Sequence, residues 1–372
     1  MDQIKIVAYS FERMETACGY IRLLSPFESI RSEVEYAWGV SCQQNPIFKR
    51  KVIHGGFIDF ADLIVVQRTF PQERTVKTLK KFLESGKAVI YDIDDLLIDL
   101  PADHVNKDFI DKCRPFIIEF ISQVDAITVS TPALGDVLKP YNANIYLLPN
   151  LVDDCLWSDS SLGNTDRIVI GFGGTSTHAN DIALVEEALL AIADKYRDSI
   201  TFKFLGCVTE RLARLPCVEY VDFQPSYRDY AQVLQNAGFD IAIVPLENNL
   251  FNNCKSNIKW LEYSACGIPG IYSDLLPYNS SVESGKTGLL AGNSSKDWFE
   301  AMDLLISDRE MRKRIGAAAR TEVLANYSLG NKAHNNADLY RRIIQVKQLS
   351  RAGKGSSTGR FLRALRWSPF AG

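Results

Sequence analysis

No two of the eight cysteines in this 372-residue chain stand in a CxxC pair, so neither a zinc site nor a dithiol motif is indicated. Cys18, Cys42, Cys113, Cys155, Cys207, Cys217, Cys254 and Cys266 are scattered. Several lie in apolar runs, as Cys207 does in FKFLGCV, and read as reduced core thiols. No apolar run reaches the length of a membrane span. The GxGxxG of dinucleotide-binding folds is missing, and there is no internal repeat of solenoid type. The start, MDQIKIVAYS, enters a strand at once and does not read as a signal peptide. A cytoplasmic protein is expected. Acidic residues are also missing beyond Asp338, where Arg341, Arg342, Lys347, Arg351, Lys354, Arg360, Arg363 and Arg366 collect. With a net charge of −3 overall, the body before that stretch is acidic, which argues against nucleic acid as a partner.

What is present is the composition of a globular protein, 46% hydrophobic and 23% charged, long enough for two domains. Short apolar, β-branched runs alternate with helical stretches: residues 4–10, 62–68, 88–93, 126–130 and 144–149, with helices over 72–84 and 107–124. LVDDCLWSDSSLGNTD reads as a polar linker. A second series follows at 167–173, 201–206, 218–221, 240–245 and 267–273, with helices near 181–196, 227–237 and 256–265. The pattern predicts an α/β protein of two Rossmann-like domains, 1–155 and 156–330. A helix over 331–348 is expected to follow, and then a basic tail over 349–372. Ligands of such sheets bind beyond the carboxyl ends of the strands, so a cleft between the halves is the expected active site.

The segment FNNCKSNIKWLEYSACGIP (251–269) follows an apolar strand that ends at Pro245. Its polar loop, with Asn253, Lys255 and Ser256, runs into a helix closed by Gly267, an arrangement suited to holding a diphosphate. Lys255, Lys259 and Glu262 share one face at i, i+4, i+7; a solvated helix face is the plain alternative. After RIVIGF comes GGTSTHAND, where Gly173 and Gly174 permit close backbone approach and Thr175, Ser176, Thr177 and His178 supply donors. His178 also reads as a surface cap. After AVIY comes DIDD, whose Asp92, Asp94 and Asp95 could act as a base, orient a hydroxyl, bind a metal, or merely cap a helix. Arg68, at the end of DLIVVQ, is a candidate for an anionic group or a solvated loop residue.

On these residues the C-terminal half resembles the nucleotide-sugar domain of GT-B glycosyltransferases, in particular retaining family 4. LEYSACGIP matches the second glutamate of that family's paired-glutamate motif as Glu262, with Gly267 and Pro269. The first glutamate position falls on Cys254, a departure; Lys255, Ser256 and Lys259 resemble a KS-x-x-K subgroup. GGTSTHAND stands in place of the family's Arg/Lys pair, so Thr177, His178 and Asp181 would replace it. The resemblance implies that Glu262 binds the donor ribose, that Lys255 is the main diphosphate ligand, and that Asp94 or Asp95 takes the place of an N-terminal-domain histidine. Gly19, Arg22 and Arg68 are the candidates for the acceptor side, and the family habit implies that the helix over 331–348 crosses back to the first domain. The resemblance covers residues 167–330 well and the first half only in outline.

The function implied is transfer of a sugar from a UDP-, GDP- or dTDP-linked donor to a glycan or lipid-linked glycan, as in polysaccharide biosynthesis, retaining, with no metal or other cofactor. Two other classes are considered: a binding or scaffold subunit that lacks catalysis, and an Asp-x-Asp phosphatase built on YDIDD. In the tail, GRFLRALRWSPF places Phe361, Leu362 and Leu365 opposite Arg360, Arg363 and Arg366 if helical, which suits an anionic membrane surface through 359–370. Base contacts are expected near Gly206 and Phe223–Gln224.

Overall fold

A computed structural model describes residues 3–44, 49–159 and 167–352. The tail expected to meet a membrane lies outside them. The described chain forms two compact units. The first comprises residues up to Met14, Arg22–Pro149, and the chain from Ala333 onward; the second comprises Glu15–Ile21 and Asn150–Lys332.

The first unit holds β1 (Ile4–Tyr9), β2 (Val34–Trp38), β3 (Val40–Gln44), β4 (Lys49–Ile53), β5 (Leu63–Gln67), β6 (Ala88–Ile93), β7 (Ala126–Val129) and β8 (Ile145–Leu147). Its parallel sheet runs β2-β1-β5-β6-β7-β8, and β3 and β4 form a separate antiparallel ribbon. In the second unit β9 (Ile168–Gly173), β10 (Ile200–Leu205), β11 (Val218–Val221), β12 (Ile241–Val244), β13 (Gly270–Ser273) and β14 (Leu289–Ala291) form a parallel sheet ordered β11-β10-β9-β12-β13-β14. Every residue of β5, β6, β7, β12 and β13 is buried, as expected for strands covered by helices on both faces.

The order of the second sheet matters for function. From β9 the chain winds outward through β10 and β11, then returns to the other side of β9 as β12. The carboxyl ends of β9 and β12 therefore flank a switch point, the usual ligand crevice of a doubly wound sheet.

The helix His334–Ala352 packs on the first unit, where Tyr340 meets Phe27 and Arg341 and Lys347 pair with Glu33 and Asp125. The stretch read as a polar linker is not merely solvated. Val152 and Trp157 are buried, and Val152 bridges to Ser328.

Candidate functional site

The second unit's site is built from three chain segments. At the end of β9, Gly173 donates its amide N–H to Tyr263 Oη at 2.8 Å, and Gly174 donates to the Leu205 carbonyl at 2.9 Å. Both amides are thus satisfied within the protein. The glycines matter sterically instead: a β-carbon on Gly174 would come within 2.9 Å of His178 Cδ2, and one on Gly173 within 2.9 Å of Tyr230 Oη. Thr175 and Thr177 bond each other through their hydroxyls at 2.7 Å.

His178 Nδ1 lies 2.8 Å from Asp181 Oδ2, and its ring stands edge-on to Phe172. The side chain is 17% exposed. Burial, followed by the charge of Lys255, pushes its pKa down to about 4 despite Asp181. Asp181 is itself a hub. Its other oxygen accepts from the Glu247 amide at 2.8 Å and Asn252 Nδ2 at 3.3 Å, and Asn252 also donates to the Glu247 carbonyl. The loop after β12 is thereby fastened to the loop after β9.

That second loop is shaped by its asparagines. Asn249 accepts from the Asn252 amide and so caps the short helix Leu250–Asn253, while Asn253 bonds Asn248. Lys255 follows, with its ammonium 5.0 Å from the Phe251 ring centroid. Ser256 accepts from Asn150 at 2.8 Å. The helix Ile258–Ala265 ends in a Schellman turn: Gly267 is left-handed, its N–H reaches Ser264 O, and Ile268 N–H reaches Tyr263 O.

Glu262 is only 2% exposed and fully engaged. Oε1 accepts from Tyr227 at 2.9 Å; Oε2 accepts from Tyr230 and Lys259 Nζ, each at 3.1 Å. Burial and Glu262 hold both tyrosines well above the usual phenol range, so they stay protonated and donate. The carboxylate expected to meet a ribose is here the centre of a Tyr–Tyr–Lys cage, and Lys259 also donates to Tyr230 Oη. Cys254, at the position of the missing glutamate, is wholly buried, and desolvation raises its thiol to about 11. It presents nothing to a ligand.

In the first unit Arg68 takes a left-handed backbone, φ 47°, at the end of β5. Its Nη1 bridges Asp94 and Asp95, and Nε lies 3.6 Å from Glu12. These three predicted residues come together. Arg22 and Asp92 do not join them: the pair is buried at 2.6 Å, Asp92 also accepts from Thr128, and Arg22 donates to the Leu148 carbonyl. Burial disfavours the Arg22 cation, and Asp92 more than offsets that. Arg22 is thus an interior residue and has no surface to offer an acceptor. Gly19 belongs to the Glu15–Ile21 segment, which packs with the second unit: Tyr227 N–H reaches Glu15 O, and Tyr20 meets Tyr227 and Asp153.

Residues 178–322 match the family described as Glycosyl transferases group 1. That segment, less than half of the chain, is similar to the group 1 glycosyltransferases. Curated relatives agree. D-inositol 3-phosphate glycosyltransferase of Nocardia farcinica is 28% identical over 148 residues, spanning 40% of this chain and 32% of that protein. Its counterpart in Stackebrandtia nassauensis is 30% identical over 112 residues, 30% of this chain and 24% of that one. The chain thus matches a third or less of the length of these relatives. Among solved structures, sucrose-phosphate synthase of Thermosynechococcus elongatus superposes with a TM-score of 0.66 at 14% identity, covering 92% of this chain and all of that one. HepE of Anabaena, solved with UDP and glucose, gives 0.65 at 13% identity, covering 91% and 100%. The fold is that of the GT-B glycosyltransferases.

Within the matched segment, the sequence reading missed Tyr227, Tyr230, Glu247 and Asn252. The two tyrosines sit on the helix Tyr227–Gln235, whose pattern marks a helix and nothing more. They reach Glu262 only through tertiary packing. Glu247 and Asn252 lie in the same Asn-rich loop as Lys255, and the signal that could have found them was the acid at a strand's carboxyl end.

Proposed function

We propose that this protein transfers a sugar from a nucleotide-diphosphate sugar to a glycan or lipid-linked glycan, with retention of the anomeric configuration and without a metal. The observation that carries the reading is the placement of Lys255, His178 and Lys259 around the switch point of β9 and β12, inside the matched group 1 segment. As the anomeric C–O bond breaks, the nucleoside diphosphate departs with the bonding electron pair, and charge grows on its phosphate oxygens. In this reading Lys255 stabilises that charge, an effect worth most where water is scarce. The acceptor oxygen forms the new bond to the same carbon and gives up its proton to a phosphate oxygen of the departing diphosphate. Asp94 and Asp95, held by Arg68, are the acceptor-side carboxylates of this reading. The solved relatives bound to UDP and UDP-glucose make a uridine donor the first to try.

A thermal-shift screen against UDP-glucose, UDP-N-acetylglucosamine, GDP-mannose and dTDP-glucose tests the donor. One of them is expected to raise the melting temperature by several degrees at about a hundred times its Kd, equivalent to about 2.7 kcal/mol. NMR of the product formed with that donor reports the anomeric configuration. A flat screen sinks the donor reading, and a β-product from an α-donor sinks retention. Binding without any release of nucleoside diphosphate would favour a non-catalytic binding subunit, for which buried Cys254 in place of the family glutamate is the supporting feature.

A membrane-linked acceptor is part of the proposal because of the Arg–aromatic alternation over 359–370. No helix among the described residues is long and apolar enough to cross a membrane. The full chain is expected to sediment with phosphatidylglycerol vesicles and a chain ending at Ser350 to remain in the supernatant. Equal sedimentation of the two removes this part.

A further inference from the structure

The tautomer of His178 is set by its neighbour. Asp181 Oδ2 is an acceptor 2.8 Å from Nδ1, so Nδ1 carries the hydrogen. Asp181 cannot turn away, because its other oxygen holds the Glu247 amide and Asn252, and the residue is 3% exposed. In the neutral ring Nε2 is therefore a lone pair. It adjoins Cδ2, the atom that lies against the bare Cα of Gly174 at the mouth of β9. A phosphate oxygen arriving there would meet acceptor against acceptor.

We propose that His178 takes up one proton from solvent as a nucleotide-diphosphate sugar binds, so that Nε2–H donates to the diphosphate while Nδ1–H stays on Asp181. The inference rests on the donor reading above and adds a proton to it. The charged groups around the ring account for both states. Without a ligand, the Lys255 charge from the loop and the Lys259 charge from the next helix add to burial and keep the ring neutral, against Asp181 alone. From β9 the uncharged Phe172 ring stands edge-on to it. The Glu247 amide is bonded to Asp181 and its carboxylate accepts from Asn249, and Glu262 is occupied by Lys259 and two tyrosines. A bound diphosphate neutralises Lys255 and brings negative charge to Nε2, which reverses the balance. A lysine or arginine here would hold its charge at all relevant pH; His178 makes affinity depend on pH.

Isothermal titration with UDP-glucose at about pH 6, in buffers of small and large ionisation enthalpy, counts the proton directly. The phosphates of UDP-glucose do not titrate between pH 5 and 8, so any uptake belongs to the protein. The observed heat is expected to change with buffer, with an uptake approaching one proton and an affinity that rises by up to about tenfold for each pH unit lowered toward the free-ring pKa. His178→Asn is expected to bind more weakly with heat independent of buffer. Wild-type heat that is the same in all buffers from pH 5 to 8, or a His178→Asn protein that still takes up the proton, overturns the proposal. If UDP-glucose, GDP-mannose and dTDP-glucose all give neither heat nor thermal shift, the donor reading itself falls and the proposal falls with it. Binding without uptake overturns only the proton.

Discussion

Replacing Lys255 with alanine is expected to lower kcat for sugar transfer about 10²- to 10³-fold while leaving the melting temperature nearly unchanged. The side chain emerges from a loop whose fold is secured by others: Asn249 caps the helix before it, Asn252 ties the loop to Asp181, and Asn150 holds Ser256. Removing the ammonium therefore takes away charge at the leaving group and little packing beyond the contact with the Phe251 ring. Lys255→Arg keeps the charge on a planar fork of different reach and is expected to recover only part of the rate. Initial rates over a range of donor concentration check both variants. A Lys255→Ala enzyme within about threefold of wild type would remove Lys255 from the mechanism.

The second large effect concerns stability. Arg22→Met or Asp92→Leu alone is expected to destabilise the first unit by about 3–5 kcal/mol, because each leaves a buried charge without its partner. At about 2–4 °C per kcal/mol for a unit of this size, the melting transition should fall by about 10 °C. The double variant Arg22→Met/Asp92→Leu is expected to recover most of that loss, since apolar side chains can replace a buried ion pair at little cost. Calorimetry of the three variants decides: single variants that melt with wild type would mean that the pair is solvated. The same experiment separates Asp92 from Asp94 and Asp95, whose replacement should leave stability much less affected.

That separation shows what the chain's sequence could and could not convey. The DIDD run marked the end of a strand correctly, yet its acids have different fates. Asp92 falls within β6 and is drawn into the core by Arg22, seventy positions earlier; Asp94 lies past the strand end and meets Arg68. No local pattern encodes a partner at that distance. The buried runs of β5, β6, β9, β12 and β13 were legible because parallel strands covered on both faces need apolar residues throughout. The edge strand β2, the ribbon β3–β4 and three-residue β14 were not, since short or half-exposed strands carry little hydrophobic signal. Lys255, Lys259 and Glu262 did fall in one strand–loop–helix segment. The surprise was the depth of Glu262, which depends on tyrosines 32 and 35 positions away.

The helix His334–Ala352 has a consequence for how the chain comes to be folded. Tyr340 and Ile343 are buried in the first unit, alongside Phe27 and near the Arg22–Asp92 pair. The strands synthesised first therefore wait for almost the last residues described here before their core is closed. Meanwhile every residue of the second unit, the Glu15–Ile21 segment included, has been made by the time Lys332 is added. Closing a loop as long as Asn150–Lys332 costs only slightly more than closing a short one, since the entropy grows logarithmically, but the search is slow. On the ribosome, the second-made unit is placed to finish before the first.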